Sequence, residues 1–105
     1  CDIGAERPIR DHAHYSVSKA GLVMLVRAMA VELAPDVRTH GVSPGQVAWP
    51  PSYDEAKRQR LSARIPMGRE GRPEDVANLV RFLVLEGHYL NGAIVPVDGG
   101  LSCKY

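Results

Sequence analysis

Pro73-Glu74-Asp75-Val76-Ala77-Asn78-Leu79-Val80-Arg81-Phe82-Leu83 opens the stretch that decides the fold, and Ala93-Ile94-Val95-Pro96-Val97 closes it. A proline in the first helical turn forfeits no hydrogen bond, and Glu74 and Asp75 face the positive end of the helix dipole. Val76, Leu79, Val80 and Leu83 recur at i, i+3, i+4 and i+7, the repeat of a helix with one buried stripe, and Gly87 supplies the stop. The β-branched run at 93–97 reads as a strand, and its proline, lacking an N–H for the ladder, places it at a sheet edge. Asp98-Gly99-Gly100 then turns the chain.

Upstream of this helix, Val37-Arg38-Thr39-His40-Gly41-Val42-Ser43 is a strand candidate between Asp36 and Pro44-Gly45. Strand, helix and strand in that order make a βαβ unit, so the fold class is α/β with parallel strands. A further helix is expected from Ala13 to Ala34, with Asp11 as its N-cap and Pro35 as its stop. Leu22, Val23, Leu25, Val26, Met29 and Leu33 occupy more than one stripe of it. Such a helix packs a sheet on one side and something else, such as another subunit, on the other. Pro44 to Ser52 is linker-like, and Ser52-Tyr53-Asp54-Glu55 resembles a capping box opening a polar helix to about Arg64, a lid lying on the surface. Two strands make a poor sheet, and no Gly-rich phosphate loop occurs in the 105 residues, so the dinucleotide-binding half of a doubly wound domain is expected to be absent from this stretch.

Composition narrows the function classes. Apolar content of 45%, a net charge of +1 and a pI near 8.0 describe an ordinary globular chain and argue for neither a nucleic-acid binder nor a membrane-surface protein. The longest apolar stretch, Ala20 to Val31, is broken by Arg27 and too short to span a bilayer, and Cys1-Asp2-Ile3-Gly4 looks nothing like a signal peptide, so a cytoplasmic location is expected. Cys1 and Cys103 stand at the extreme ends and read as free thiols. His12, His14, His40 and His88 have no carboxylates at ligand spacing, so no metal is expected.

Tyr15 and Lys19 lie four residues apart in the expected helix and so share a face. A free tyrosine has a pKa of about 10, which makes it a reluctant proton donor unless its phenolate is stabilised. Two unit charges about 4 Å apart interact by roughly 4 kcal/mol at an effective dielectric of about 20, enough to move a pKa by a couple of units. Alone, Y-x-x-x-K is a weak motif that many helices carry by chance. Three further strings accompany it: Val42-Ser43-Pro44-Gly45, Gly71-Arg72-Pro73-Glu74-Asp75-Val76-Ala77, and Asn91-Gly92-Ala93-Ile94-Val95-Pro96-Val97-Asp98-Gly99-Gly100.

Together these strings resemble the C-terminal half of the short-chain dehydrogenase/reductases. The resemblance covers the whole chain and implies the C-terminal portion of a Rossmann-like doubly wound parallel sheet, residues 1–105 being part of one reductase domain. It implies that Tyr15 is the catalytic acid and contacts both cofactor and substrate, that Lys19 binds the nicotinamide ribose and lowers the tyrosine's pKa, and that Pro44, Gly45 and Val47 bind the cofactor by leading the backbone past the nicotinamide. NADPH as the cofactor and a homo-oligomer, dimer or tetramer, follow from the resemblance alone.

Most of the family places a serine thirteen residues before the tyrosine, to hydrogen-bond a substrate carbonyl. Here that position is Asp2. An ionised aspartate accepts hydrogen bonds and donates none, and its charge opposes the effect of Lys19 on Tyr15. It suits a substrate presenting N–H donors, and pteridine reductases resemble this chain at that position and at Glu32-Leu33-Ala34-Pro35. The expected activity is therefore NADPH-dependent reduction of a dihydropteridine or dihydrofolate-like C=N bond, with Asp2 both catalytic and substrate-binding. Asp2 also reads as the exposed end of a truncated strand. Trp49 either stacks on a flat heterocycle or covers apolar surface, and Gln46 either lines the substrate site or is a solvated loop residue. Lys57, Arg58, Arg60 and Arg64 read as the solvated face of the lid or as a contact for an acidic substrate. Two other functions stay open: a carbonyl reductase acting on a 3-oxoacyl or other ketone substrate, and a noncatalytic assembly module.

Overall fold

The computed structural model describes residues 1–104. Two parallel strands, β1 (Gly41–Pro44) and β2 (Ile94–Val97), lie side by side in the register Gly41↔Ile94 through Pro44↔Val97. Three helices surround them: α1 (Ala13–Glu32) precedes β1, while α2 (Glu55–Ser62) and α3 (Pro73–Leu85) form the crossover between the strands. Short 3-10 turns at Ile3–Ala5 and Leu101–Cys103 sit near the two ends. The βαβ unit expected from the sequence is present, and Pro96 stands opposite Ser43 in a strand paired on one side only among the described residues.

α3 begins at Pro73 as the proline and the acids dictate, and Asp75 Oδ2 accepts the Arg72 N–H at 2.8 Å. Its far end is held by a distant cation. Arg38 Nη1 donates to the Leu83 carbonyl at 2.9 Å, an oxygen that the helix terminus leaves without an intrahelical partner, and to the Gly87 carbonyl just past the helix at 2.6 Å. This contact shortens the first strand: Val37 to His40 are expected in it, but Arg38 is drawn to α3 and the Thr39 N–H donates to Asn91 Oδ1 at 3.0 Å, so pairing starts at Gly41. Asn91 also donates from Nδ2 to the Ala30 carbonyl at 2.7 Å, tying the end of α1 to the loop before β2.

α1 starts at Ala13, but Asp11 does not cap it. Asp11 adopts a left-handed φ of 63° in the preceding turn, and the cap position falls to His12, which makes no side-chain cap bond. α2 is shorter than the expected 52–64 helix because Asp54, not Ser52, caps it: Asp54 Oδ1 accepts the Lys57 N–H at 2.7 Å.

The buried apolar set is small: Val23 and Ala30 of α1, Ile65 after α2, and Leu83 of α3. Val17, at 71% exposed, and Val31, at 80%, lie on faces of α1 that no described residue covers, in keeping with its many-sided apolar pattern. No helix among the described residues is long and apolar enough to cross a membrane.

Candidate active site

The N-terminal turn and the first turns of α1 make the centre of the site. Asp2 has extended backbone and caps the turn at Ile3–Ala5, its Oδ1 accepting the Gly4 N–H at 2.6 Å. That bond leaves Oδ2 for another donor. The Tyr15 hydroxyl, in the first turn of α1, donates to it at 2.8 Å. One turn further on, the Lys19 ammonium lies over the face of the Tyr15 ring, 5.3 Å from its centroid. Asp2, Tyr15 and Lys19 are all half-buried.

The electrostatics of this cluster run against one expectation. The hydrogen bond to Asp2 is the leading cause that holds the Tyr15 hydroxyl above its ordinary pKa, with burial and the Asp2 charge adding to it. Instead of being drawn down by Lys19, the phenol is kept protonated by the carboxylate that accepts from it. Lys19 makes no ion pair among the described residues, so its three N–H groups stay available to a ligand.

Gly4 is packed against this pair. A Cβ there would lie 2.9 Å from Asp2 Oδ1, 3.0 Å from Ile9 Cδ1 and 3.5 Å from Tyr15 Cε1. Gly4, Ile9 and Gln46 also line an open cleft of about 390 Å³. Gln46 therefore reaches the same neighbourhood as Asp2 and Tyr15, and its own carbonyl accepts the Gly71 N–H at 2.9 Å. Arg7 and Lys104 line the cleft as well. Sequence reasoning missed both, because they come from opposite ends of the chain and no local spacing marks them.

Pro44, Gly45 and Val47 gather at the carboxyl ends of the two strands, where open parallel sheets take their ligands. Pro44 pairs with Val97, the Gly45 N–H donates to the Val97 carbonyl at 3.0 Å, and Val47 forms an isolated parallel bridge with Gly71. Among the described residues, no hydrogen bond joins these three to Tyr15 or Lys19. Trp49 is engaged elsewhere: its ring stacks on Tyr53 with centroids 5.9 Å apart, and Lys57 Nζ lies 3.6 Å from the Tyr53 centroid. Among the described residues, no group of three or more His, Cys, Asp or Glu side chains could hold a metal ion.

Comparison with known proteins bears on this geometry. A family model described as enoyl-(acyl carrier protein) reductase matches residues 2–102. L-rhamnose 1-dehydrogenase (NAD(P)(+)) of Azotobacter vinelandii is 38% identical over 94 residues, covering 84% of this chain and 37% of that protein. The 3-oxoacyl-[acyl-carrier-protein] reductase FabG of Thermotoga maritima is 38% identical over 92 residues, covering 84% and 37%. The crystal structure of a short-chain dehydrogenase/reductase, glucose/ribitol dehydrogenase, from Brucella melitensis superposes with a TM-score of 0.86 at 30% identity, covering 96% of this chain and 42% of that one. The chain thus spans well under half the length of the relatives it matches, and its parallel strands and flanking helices are part of an α/β Rossmann-like fold. With Tyr15 and Lys19 on one face of α1 and the family model running from Asp2 to Ser102, the chain belongs to the short-chain dehydrogenase/reductase family.

Proposed function

We propose that the whole protein reduces a C=N bond of a pteridine, dihydropteridine or dihydrofolate-like, with NADPH. The observation that carries this reading is the 2.8 Å hydrogen bond from the Tyr15 hydroxyl to Asp2 Oδ2. Reduction of a ketone builds negative charge on oxygen, and a carboxylate on the proton donor opposes that charge. Reduction of C=N builds the same kind of charge on nitrogen until the proton arrives, but an amino-pyrimidine edge adds N–H donors that a carboxylate accepts and a ketone lacks.

NADPH, when bound, supplies the hydride that adds to carbon. Tyr15 carries the proton that ends on nitrogen, so C=N becomes CH–NH; the bond to Asp2 makes the phenol a weaker acid, and the Lys19 ammonium over its ring supplies the positive charge that steadies the phenolate left behind. Asp2 orients the amino-pyrimidine edge through its carboxylate. Lys19, with three donors and no acidic partner among the described residues, suits the ribose hydroxyls, and the backbone at Pro44, Gly45 and Val47 suits the carboxamide. Choosing NADPH over NADH rests on the family resemblance.

A second reading is reduction of a carbonyl, and the named relatives favour it over the first. One is a 3-oxoacyl reductase and another a sugar dehydrogenase. The two readings part at a single assay. Purified whole protein with NADPH is offered dihydrobiopterin and, separately, acetoacetyl thioester. Turnover of the pterin is expected, and turnover of the thioester alone overturns the pteridine reading in favour of the carbonyl one.

A further inference from the structure

The cleft beside the Asp2–Tyr15 pair is built with one sign of charge. Arg7, Arg64 and Lys104 line it, and no acidic side chain does. These cations come from the N-terminal turn, the segment after α2 and the end of the chain. None of them makes an ion pair among the described residues. Arg7 is held in place, its Nη1 donating to the carbonyls of Leu101 and Ser102 at 3.1 Å each. Arg64 and Lys104 are exposed, with Lys104 Nζ 3.4 Å from the Arg64 carbonyl. Collecting three like charges around one concavity is unfavourable in the free protein and becomes favourable when an anion enters.

Position gives the charge a use. Gly4 is a wall shared by the cleft and the catalytic pair, since a Cβ on it would touch Asp2, Ile9 and Tyr15. Gly4 and Ile9 thus form a path from Tyr15 to the basic end of the cleft. We propose that this cleft is a specificity site for an anionic extension of the substrate, a carboxylate or phosphate carried beyond the reacting ring. The proposal deepens the pteridine reading, on which it rests for the identity of the ring. It directs the enzyme toward pteridines bearing a carboxylated side chain.

The test uses the whole protein with NADPH and a matched pair of substrates, dihydrofolate with two carboxylates and dihydrobiopterin with none. Arg64 and Lys104 are exposed, so Arg64→Gln with Lys104→Gln removes two charges without emptying the core, while Arg7 is left to its backbone bonds. The expected result is a KM for dihydrofolate raised about tenfold, the sum of two modest charge contacts, with kcat kept and KM for dihydrobiopterin held within about twofold. The selectivity should shrink in high salt. Equal changes in both KM values, or none in either, overturn the proposal.

If only carbonyl substrates turn over, the pteridine reading fails by itself. The cleft is then tested with acetoacetyl-CoA, which carries phosphates, against uncharged acetoacetyl-N-acetylcysteamine. A selective rise for the CoA ester in the double variant sustains the anion site with a phosphate as its occupant. Parallel KM values for the two thioesters overturn it.

Discussion

Asp2 and Asp98 begin alike and end differently. Each accepts, on Oδ1, a backbone N–H from two residues ahead: Gly4 at 2.6 Å for Asp2 and Gly100 at 2.9 Å for Asp98. Asp98 spends its second oxygen on the same turn, accepting the Ser102 N–H at 2.7 Å. Asp2 lends its second oxygen to the hydroxyl of Tyr15 on another element. A carboxylate whose acceptors are all used locally is a structural clip. One that keeps an oxygen for a phenol sets the protonation of that phenol, and this separates a turn residue from a site residue of the same type.

The largest effect expected from breaking this contrast is at Tyr15. In the whole protein, Tyr15→Phe removes the hydroxyl and leaves Asp2 with its backbone bond, so turnover should fall by about two to four orders of magnitude. Cofactor affinity, measured by fluorescence titration with NADPH, should stay nearly unchanged, because Lys19 is untouched. Wild-type turnover in this variant removes Tyr15 from the mechanism.

Asp2→Ser comes next. A serine can still accept the Gly4 N–H but adds no charge, so the main cause of the raised Tyr15 pKa is gone and the alkaline limb of the pH–rate profile should move to lower pH. Preference should swing from pterin toward ketone by about ten- to a hundredfold, the worth of one hydrogen bond to a charged group. An unmoved limb and an unmoved preference would show that Asp2, like Asp98, only clips its turn.

The contrast also explains what the sequence revealed and what it concealed. α3 and β2 were readable because their causes are local: Pro73, the acids beside it, and the repeat Val76, Leu79, Val80, Leu83. The pairing of Asp2 with Tyr15 was within reach for the same reason, since a turn and the start of α1 bring them together over thirteen residues. Distance defeated the rest. Nothing near Arg38 predicts that it will cap α3 forty-five residues later and so delay β1, and nothing near Arg7 predicts contact with Leu101. Asp11 misled as an N-cap because residue type favours that role while the left-handed backbone there denies it.

A smaller effect should follow from crowding the Asp98 side. A Cβ at Gly45 would lie 2.6 Å from Asp98 Cβ and 2.8 Å from its Cα, and the backbone atom cannot step aside as a side-chain tip would. Gly45→Ala should therefore destabilise the whole protein by about 1–3 kcal/mol in denaturant titration, the range for overpacking. Gly4→Ala meets the Oδ1 of Asp2 and a methyl of Ile9, which can shift, so it should alter turnover more than stability. Equal stability losses in the two variants would remove the distinction.

The smallest effects lie in pH, at opposite ends of the scale. Burial pushes the Asp98 carboxyl up, but hydrogen bonds from Ser102 and Gly100 outweigh it and leave the group below its ordinary value of 3.8. Its stabilisation is thus complete above that value and is lost as the pH falls through the lower folded pKa, because the unfolded chain takes the proton first. Tyr15 runs the other way. Its folded pKa lies above the ordinary 10.0, so its bond to Asp2 is fully counted below that pH and is lost as the pH rises toward the folded value, where the unfolded phenol ionises first. Melting temperatures of the whole protein against pH should show Asp98→Ala flattening only the acid limb and Tyr15→Phe only the alkaline one. A Tyr15→Phe curve that keeps the wild-type alkaline limb would mean that the phenol's bond to Asp2 contributes nothing to the fold, and that Asp2 holds the hydroxyl for chemistry alone.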